Sequence, residues 1–599
     1  MTSDAERAPN VNTLWAAVFV DELIRCGLRH AVIAPGARSA PVVFQFAGRG
    51  EIADISIIDE RSAAFFALGL ARATRCPVAL VCTSGTAAAN FHPAVCEAAH
   101  GDIPLLVLTG NRPADVQDCG AQQVMDQHAL YGAQVRWFHQ TAQPELHGDK
   151  LRYLRATACR AWARAQAPRP GPVHVDLPVR KPLEPTPDPR QQVPDPLPDD
   201  VAEARRGRAE NRCWLNISRS MPAVDAGTLD RLAGRIRHAR RPLIIAGTDL
   251  RGIDDRKAVR DLAERAAIPV FAEGGSNLRH WCARGLAVIG AGELISASNF
   301  HARHGRPDLV IRLGRHPLTW ALQRLVDNDV EQVQIAATDQ LIDPDHRVSE
   351  QLVADPTELC RRLGERLDAA AGETTWLAAH RRADECIRAE LDRAFAAEER
   401  FNAPRFWHEL GALLPEDGLL CYSSSMQVRH LETFMSAHAR DAELHFNRGL
   451  NGIDGVVSMA AGLAAGSASR KTILVIGDVA LRHDAQALML GIEMGLDLTV
   501  FVVDNDGGEI FEYLPGAAFE VVHEKHFATG GRAPLTDALP RAIDIEQPRD
   551  WDAFRRVGRA AIAAPGPRLV RVPTGRRVDR DLRARLIERI AAGLAADWS

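Results

Sequence analysis

Two apolar runs near the C-terminal end constrain the fold of this chain more than any other feature. They are 471–478 (KTILVIGD) and 499–508 (TVFVVDNDGG). Each opens with β-branched residues, typical of buried parallel strands, and each closes on small or oxygen-bearing residues. Asp478 and Asn505 lie 27 positions apart, which fits a strand–helix–strand crossover. We therefore expect both turns at the carboxyl edge of one parallel sheet, where ligands bind in open α/β folds.

The oxygen atoms at these turns suit a divalent cation that bridges to a diphosphate. The Asp478 carboxylate, the Asn505 amide oxygen and the Gly507 carbonyl are ligands of the kind that Mg²⁺ prefers. The glycines allow the backbone to approach phosphates closely. On these residues alone, two ordinary turns without a metal are an equally good interpretation. The pattern from Gly477 onward resembles the Gly-Asp…Asn motif that anchors thiamine diphosphate (ThDP) through a divalent ion.

The rest of the chain alternates strand and helix patterns. Strands are predicted at 31–34, 55–58, 78–82, 104–109, 242–246 and 268–272. This alternation indicates an α/β protein with doubly wound parallel sheets. A proline-rich stretch at 186–200 predicts an extended linker between domains at 1–185 and 201–375, followed by a third domain at 376–599. Gly290-Ala-Gly292 hints at a dinucleotide turn, but it lacks the third glycine, which favours a plain turn.

Composition excludes several classes of protein. A net charge of −5 gives no electrostatic footprint for nucleic acid. No uninterrupted apolar stretch is long enough to predict a membrane span, and the N-terminus lacks a signal-peptide pattern. The eleven cysteines form no Cys-x-x-Cys pair and no cluster with zinc-finger spacing, so they are interpreted as reduced core residues. We expect a cytoplasmic protein.

Five further motifs carry a resemblance to one family. They are 59–71 (DERSAAFFALGLA), 82–90 (CTSGTAAAN), 118–123 (DCGAQQ), 452–458 (GIDGVVS) and 506–515 (DGGEIFEYLP). Together, and in this order, they resemble the MenD family, 2-succinyl-5-enolpyruvyl-6-hydroxy-3-cyclohexene-1-carboxylate (SEPHCHC) synthase of menaquinone biosynthesis. The resemblance spans nearly the whole chain. It implies the three-domain ThDP-binding fold, with a pyrimidine-binding domain first and a diphosphate-binding domain last.

The resemblance also implies roles for particular residues. Glu60 would be the carboxyl beside the aminopyrimidine of ThDP, although by itself the triplet Asp59-Glu60-Arg61 is typical of a solvated turn. The implied metal ligands, for Mg²⁺ or Mn²⁺, are Asp478, Asn505 and Gly507. The implied cofactor contacts are Glu60, Ser84, Gly477, Ile453, Ser425, Ile510 and Phe511, with Ile453 as the prop that bends the cofactor. The implied substrate contacts are Arg38, Arg112, Gln123, Ser425, Arg429, Arg448, Phe511 and Leu514.

The family reaction decarboxylates 2-oxoglutarate and adds the succinyl-type acyl anion to isochorismate. Both substrates are polyanions, so planar bidentate cations such as arginine suit the pocket. The family active site lies between two subunits, which implies a homodimer or homotetramer with Glu60 of one chain facing the metal ligands of its partner. Any single arginine, taken without the motifs, is more typical of a surface ion pair.

Four positions depart from the family pattern. Ala37 replaces a serine, Ser424 an asparagine, Asp504 an asparagine, and Trp320 stands where a lysine is usual. Trp320 most affects the acceptor, because an aromatic ring in place of a cation suits a less anionic molecule. Two alternatives therefore stay open: a related carboligase that takes 2-oxoglutarate with another acceptor, and a subunit that binds ThDP without catalysis. The presence of all three of Glu60, Asp478 and Asn505 argues against the second.

Overall fold

The computed structural model describes most of the 599 residues, in nine stretches. These are 8–218, 222–248, 253–279, 282, 287–326, 330–370, 372–435, 442–467 and 469–596. No helix within these stretches is both long enough and apolar enough to cross a membrane.

Eighteen strands within the described residues form three six-stranded sheets. The first sheet contains β1 (His30–Ile33), β2 (Ala53–Ser56), β3 (Val78–Cys82), β4 (Leu105–Asn111), β5 (Trp137–Gln140) and β6 (Pro172–Pro178). The second contains β7 (Pro242–Ala246), β8 (Val270–Ala272), β9 (Val288–Ile289), β10 (Leu309–Leu313), β11 (Glu331–Ala336) and β12 (Glu350–Val353). The third contains β13 (Leu419–Tyr422), β14 (Glu443–His445), β15 (Thr472–Gly477), β16 (Leu498–Asp504), β17 (Ile545–Glu546) and β18 (Arg568–Pro573).

Helices alternate with these strands along the chain. Up to the end of the second sheet they are α1 (Val11–Cys26), α2 (Ala40–Ala47), α3 (Glu60–Thr74), α4 (Thr86–Asn90), α5 (His92–Gly101), α6 (Gly148–Arg164), α7 (Asp199–Arg206), α8 (Ala226–His238), α9 (Ile253–Ala266), α10 (Gly292–Ala297), α11 (Phe300–His304) and α12 (Trp320–Val326). The remainder are α13 (Pro356–Gly364), α14 (Thr375–Ala396), α15 (Ala403–Leu413), α16 (Met426–Phe434), α17 (Val456–Gly466), α18 (Asp478–Asp484), α19 (Leu488–Glu493), α20 (Glu520–His523), α21 (Trp551–Ala563) and α22 (Arg576–Ala596).

Every strand pair in the three sheets is parallel, which confirms the predicted α/β class. The first sheet has the order β2-β1-β3-β4-β6-β5, and the third repeats it as β14-β13-β15-β16-β18-β17. The second has the order β12-β11-β10-β7-β8-β9, the doubly wound order of dinucleotide-binding folds. In the first and third sheets the winding reverses between the first and third strands. The crevices expected to bind ligands therefore lie beyond the carboxyl ends of β1 and β3, and of β13 and β15.

By compactness the described chain divides into two units. One contains Met1–Ser220, Asn447–Ser469 and His483–Leu496, and therefore the first sheet. The other contains Met221–Phe446, Arg470–Arg482 and Asp497–Ser599, and therefore the second and third sheets. The predicted three-domain bounds remain a prediction, because compactness groups the residues differently.

The segment that leads into the proline-rich stretch is held by side chains of the first unit. Asn12 Nδ2 donates to the carbonyl oxygens of Arg180 and Pro182, both at 2.6 Å, and Asn10 Nδ2 donates to those of Glu184 and Thr186, both at 2.9 Å. Two buried asparagines at the start of α1 therefore hold the chain against the first unit. Proline content predicts an extended conformation, but it does not reveal which side chains bind the exposed carbonyls.

Helix α3 is positioned by a very close contact with α17 in the same unit. A Cβ on Gly69 would lie 2.0 Å from the Met459 carbonyl oxygen, and one on Gly462 would lie 2.0 Å from that of Phe66. Glycine is thus required where the two backbones meet. The helix begins at Glu60, because the Asp59 side chain caps it by accepting a hydrogen bond from Ser62 N at 2.8 Å.

The Gly290-Ala-Gly292 turn does not bind a dinucleotide phosphate with its amides. Asp384 Oδ1 accepts from Gly290 N at 3.0 Å and from Ala291 N at 2.8 Å. A side-chain carboxylate from α14 therefore occupies the position that a phosphate would take at the start of α10, in agreement with the plain-turn interpretation.

Candidate functional site

The turns after β15 and β16, which contain Asp478 and Asn505, lie side by side at the edge of the third sheet. Strands β15 and β16 pair in register up to Gly477 and Val503, so Asp478 and Asn505 follow directly beyond the paired ends. Asp478 is 4% exposed and Asn505 is 6% exposed. The expected convergence of a carboxylate and an amide at one sheet edge is therefore present.

Asp478 has an environment that suits a cation ligand. Burial, and secondly the neighbouring Asp504 carboxylate, raise the pKa of Asp478 to about 7. Asp504 itself accepts a hydrogen bond from Arg571 Nε at 2.6 Å, so its charge is partly compensated. A buried carboxylate whose charge is poorly compensated gains most from a divalent cation.

The Asn505 amide is held in one orientation. Its Nδ2 donates to Glu509 Oε2 at 3.0 Å, while its buried Oδ1 has no hydrogen-bond partner among the described residues. Glu509 is held in turn, because its Oε1 lies 2.9 Å from His430 Nε2 and accepts from the Tyr513 hydroxyl at 3.1 Å. A buried amide oxygen without a partner is costly unless a ligand satisfies it.

Gly507 is required by its conformation and by its surroundings. Its φ is +135°, and a Cβ there would lie 2.3 Å from the Ala528 carbonyl oxygen. The following residue fixes this contact, because Gly508 N donates to the same carbonyl at 2.8 Å. The backbone of this loop is therefore held close to 528 with no room for a side chain.

The reversal point of the third sheet has a strained backbone. Ser425, just beyond β13, has φ 66° and ψ −127°, which is unfavourable for a residue with a side chain. Its carbonyl oxygen accepts from Arg429 Nη1 at 2.6 Å. Strain of this kind is retained where the surrounding structure fixes a functional geometry. Ser425 and Asp478 thus flank the crevice between β13 and β15.

Three apolar residues predicted to contact cofactor or substrate, Ile510, Phe511 and Leu514, follow the metal loop, the segment 505–508 that carries two of the expected metal ligands. Ile510 and Phe511 are half-buried, and the Phe511 ring packs edge-on against Phe527 with centroids 5.6 Å apart. Leu514 is 43% exposed. An exposed apolar side chain beside the loop is consistent with a surface that contacts a ligand or another chain.

The residues at this edge fit a metal-held diphosphate. They provide a buried carboxylate, an unpartnered amide oxygen and a loop that only glycine allows. Asp478, Asn505 and the Gly507 carbonyl are the atoms that would hold the ion, and Gly477 would lie against the phosphates.

A second group of predicted residues meets at the reversal point of the first sheet. Arg112 Nη1 donates to Ser84 Oγ at 3.1 Å and to the Gln123 carbonyl at 3.0 Å, and Ser84 Oγ donates to the same carbonyl at 2.9 Å. Arg38 is buried, and burial, followed by the charge of Arg112, lowers its pKa. Two guanidinium groups near one another favour an anionic ligand.

Beneath these residues lies a buried polar centre that the sequence analysis missed. The Asp176 carboxylate, wholly buried, accepts from Thr109 Oγ1 at 2.8 Å, from Asn111 Nδ2 and Gln127 Nε2 at 2.7 Å, and from Gln140 Nε2 at 2.8 Å. It fixes the ends of β4 and β6 and the loop before β5. Asp176 gave no signal in the sequence, because it lies inside an apolar strand without a motif.

Glu60, the predicted partner of the aminopyrimidine, is half-buried in the single chain. Its Oε2 accepts from Asn90 Nδ2 at 3.3 Å, and the preceding Ile58 is 88% exposed. Nothing among the described residues of its own unit encloses the carboxyl. In one chain alone, the Glu60 carboxyl is therefore only partly covered.

The two remaining predicted residues lie on the segment before α17. Arg448 Nη1 donates to Asn451 Oδ1 at 2.7 Å, and Ile453 is half-buried. The Glu97 carboxylate accepts from Gly449 N and Leu450 N, both at 2.7 Å, which fixes this segment against the first unit.

Position 320 differs most from the expected chemistry. Trp320 begins α12 and is 60% exposed. Arg312, a cation on β10 of the same sheet, is buried and donates to Asp343 Oδ1 at 3.4 Å and to the Ile342 carbonyl at 2.9 Å. Burial lowers the pKa of Arg312, with Asp343 opposing the effect. Arg312 is thus engaged within the second sheet.

Sequence reasoning missed Glu509, His430 and Tyr513 as supports of the metal loop. Glu509 lies four residues after Asn505 inside a motif that was recognised, so spacing could have found it. His430 is 79 positions away on α16, and only the fold brings its ring to Glu509.

Comparisons with known proteins agree with this geometry. Residues 15–130 match the family model for the N-terminal TPP-binding domain of thiamine pyrophosphate enzymes. An X-ray structure described as a thiamin diphosphate-dependent enzyme isolated from Mycobacterium smegmatis superposes with a TM-score of 0.68, covering 94% of this chain and 99% of that one. Because the two sequences are only 18% identical, this superposition shows a shared fold alone. Fold and site together define a ThDP-dependent enzyme.

Curated relatives identify the family. SEPHCHC synthases of Haloarcula marismortui and Myxococcus xanthus are each 37% identical to this chain; the first covers 98% of the chain and 100% of the relative, the second 99% of both. The SEPHCHC synthase of a Roseiflexus species is 35% identical over 95% of the chain and 96% of the relative. The chain belongs to the SEPHCHC synthase (MenD) family, as the motifs predicted.

Proposed function

We propose that this protein is a ThDP- and Mg²⁺-dependent SEPHCHC synthase. It decarboxylates 2-oxoglutarate and adds the four-carbon acyl unit to isochorismate, releasing CO₂. One observation supports the cofactor chemistry most strongly: the buried Asn505 Oδ1 has no hydrogen-bond partner in the described part of the chain, while Glu509 fixes the rest of the amide. Family membership over the full length of the relatives supports the choice of substrates.

One group of residues acts on the cofactor. Bound ThDP supplies the electron sink for decarboxylation. Glu60 holds a proton at the aminopyrimidine of the cofactor. Ser84, Ser425 and Ile453 position the cofactor, and Ile510 and Phe511 exclude water from the reacting carbon.

The arginines provide positive charge to bind the negatively charged substrates. Arg38 and Arg112 lie close enough to interact electrostatically, with Gln123 and Ser84 fixing the second guanidinium. They would pair with carboxylates of a polyanionic substrate. Arg429, Arg448 and Leu514 complete the substrate contacts in this proposal.

We propose further that two chains complete each active site. Glu60 is half-buried and Ile58 is 88% exposed in one chain, an arrangement that a partner surface would cover. Glu60 of one chain would then face Asp478 and Asn505 of its partner in a cytoplasmic homodimer or homotetramer, with domains at 1–185, 201–375 and 376–599. Light scattering on the purified protein measures the assembly; a monomer that is fully active would contradict this arrangement.

Trp320 supports one rival, a carboligase with a different acceptor. The exposed indole stands where the family pattern has a lysine, and Arg312 already donates to Asp343 within the second sheet. Measuring CO₂ release from 2-oxoglutarate with and without isochorismate separates the two. Our proposal expects isochorismate to be consumed in step with CO₂; CO₂ release that isochorismate does not accelerate would favour the rival.

Replacing Glu509 by glutamine should weaken Mg²⁺ binding. A carboxylate can only accept, so it turns the Asn505 amide nitrogen toward itself and the oxygen away. The amide of a Glu509→Gln variant can present either atom and no longer fixes that orientation. We expect a roughly 10-fold loss of Mg²⁺ affinity, the lower end of the effect of an outer partner on a metal ligand. Calorimetric titration of Mg²⁺ in the presence of ThDP measures it independently of turnover.

Glu520→Gln provides the matched control for this measurement. Glu520 is exposed and pairs with the exposed Arg577, so its loss should leave Mg²⁺ affinity unchanged. Equal affinities in Glu509→Gln and Glu520→Gln would show that Glu509 does not position Asn505.

A further inference from the structure

Three thiols and a carboxylate from separate parts of the chain meet at the end of α1, in the first unit. Cys26 is the last residue of α1, and Glu22 lies one turn earlier on the same helix. Cys159 is on α6, and Cys213 lies on the segment that follows α7. None of them belongs to the residues assigned above to cofactor or substrate.

The distances within this thiol cluster are those of ligands around one ion. Cys26 Sγ lies 3.7 Å from Cys159 Sγ, and Cys159 Sγ lies 3.1 Å from Glu22 Oε1. One ligand atom from each of Glu22, Cys26 and Cys159 lies within 4.8 Å of the others. With Zn–S bonds of about 2.3 Å, two sulfurs of a tetrahedral site stand about 3.8 Å apart, whereas a disulfide needs about 2.05 Å.

Cys213 adds a third sulfur and an approach from solvent. Its Sγ donates to the Arg25 carbonyl oxygen at 3.3 Å, next to Cys26 in the chain, and lies outside the three ligand atoms that are all within 4.8 Å of one another. Cys159 is buried, whereas Cys26 and Cys213 are only half-buried. An ion could therefore reach the cluster from the side of Cys213 without opening the core.

The carboxylate already has the support expected of a metal ligand. Arg155 Nη1 donates to Glu22 Oε2 at 2.5 Å, and Oε1, which faces Cys159, also accepts from Trp214 N. Arg155 is wholly buried and also donates to the carbonyl oxygens of Ala204 and Arg205, both at 2.6 Å. Ligating carboxylates in metal sites are commonly hydrogen-bonded in this way, and the guanidinium would offset the excess negative charge of thiolates.

The same surroundings make these cysteines poor nucleophiles. A hydrogen bond with Cys159, and secondly burial, raise the pKa of Cys26, and burial raises that of Cys213. Without an ion they are thiols, and reactive cysteines require the thiolate.

We propose that Glu22, Cys26 and Cys159 form a structural site for a thiophilic divalent cation of the zinc class, and that Cys213 turns in as the fourth ligand. Binding forms three metal–sulfur bonds and one metal–oxygen bond and releases the three thiol protons to water, with no change of oxidation state. The site joins α1, α6 and the segment after α7, and so fixes the chain that leaves the first unit. Zinc-finger spacing does not reveal it, because three separate segments supply the ligands.

Metal content of the full-length protein tests this proposal. Protein purified under reducing conditions without chelator should contain about one zinc per chain by mass spectrometry, retained in excess Mg²⁺ and ThDP. Co²⁺ added to the metal-free protein should produce thiolate-to-cobalt charge-transfer absorption. Cys159→Ser should lose both signals, whereas Cys76→Ser, at an exposed thiol outside the cluster, should keep them.

Two results would overturn the proposal. One is wild-type protein that binds neither zinc nor Co²⁺ beyond the level of Cys159→Ser. The other is a Cys26–Cys159 disulfide, found by peptide mapping of protein that is unmodified by added oxidant. Since the Co²⁺ titration uses the wild-type chain, it decides the matter even where Cys159→Ser does not fold.

Discussion

Replacing Glu60 by glutamine is expected to abolish most turnover while the protein still binds ThDP. Glutamine preserves the size of the side chain and the α3 N-terminus, but it cannot hold or transfer a proton at the aminopyrimidine. Positioned proton transfer of this kind contributes about 10²- to 10⁴-fold to rate, so kcat should fall by that factor. The rate of CO₂ release from 2-oxoglutarate and calorimetric titration of ThDP measure the two effects separately.

Glu51→Gln is the control for this substitution. Glu51 is an exposed acid on the loop before β2, in the same part of the first sheet, and its loss should change neither quantity. If Glu60→Gln retained the turnover of Glu51→Gln, the acid–base role of Glu60 would be wrong. If it lost ThDP binding as well, its role would be in binding the cofactor.

Replacing Asp478 by asparagine is expected to have opposite effects on the cofactor complex and on the free protein. Loss of a charged ligand should lower the Mg²⁺-dependent affinity for ThDP by at least about 100-fold, since even outer partners of metal ligands contribute 10- to 100-fold. Calorimetric titration of ThDP at fixed Mg²⁺ gives the affinity. Asp506→Asn, on the neighbouring loop after β16, is the control, because the exposed Asp506 carboxylate accepts from Gly531 N at 3.0 Å and is not one of the expected metal ligands.

In the cofactor-free protein the same substitution should increase stability, and the size of the increase should depend on pH. The folded pKa of Asp478 is about 7 and the ordinary value is 3.8, so the folded chain binds more protons between these values. The contribution of Asp478 protonation to the free energy of unfolding is fully present below pH 3.8 and is lost as the pH rises through 7. Above pH 7, metal-free Asp478→Asn should therefore be more stable than wild type by a few kcal/mol. Thermal midpoints measured from pH 5 to 8 check this; identical slopes for the two proteins would contradict it.

Sequence periodicity revealed much of the architecture. The β-branched runs at β15 and β16 and the spacing between Asp478 and Asn505 were sufficient to place both turns at one sheet edge. Periodicity does not determine where α3 begins, because its start depends on one hydrogen bond from Ser62 N to the Asp59 side chain.

What the sequence could not reveal are contacts between residues distant in the chain. His430 supports the metal loop through Glu509, and Asp176 collects four donors from three segments. The thiol cluster joins positions 26, 159 and 213. Residues of this kind have no local pattern, since their roles depend on which elements the fold brings together.

The most direct test of a ThDP site shared by two chains uses the two inactive variants together. Glu60→Gln and Asp478→Asn chains, co-expressed with different tags, give hybrid dimers that two affinity steps isolate. In each hybrid one site has both substitutions and the other has neither, so we expect about half of the wild-type rate of CO₂ release with 2-oxoglutarate and isochorismate. Hybrids as inactive as their parents would show that Glu60 and Asp478 do not meet across a subunit interface, and would contradict the account.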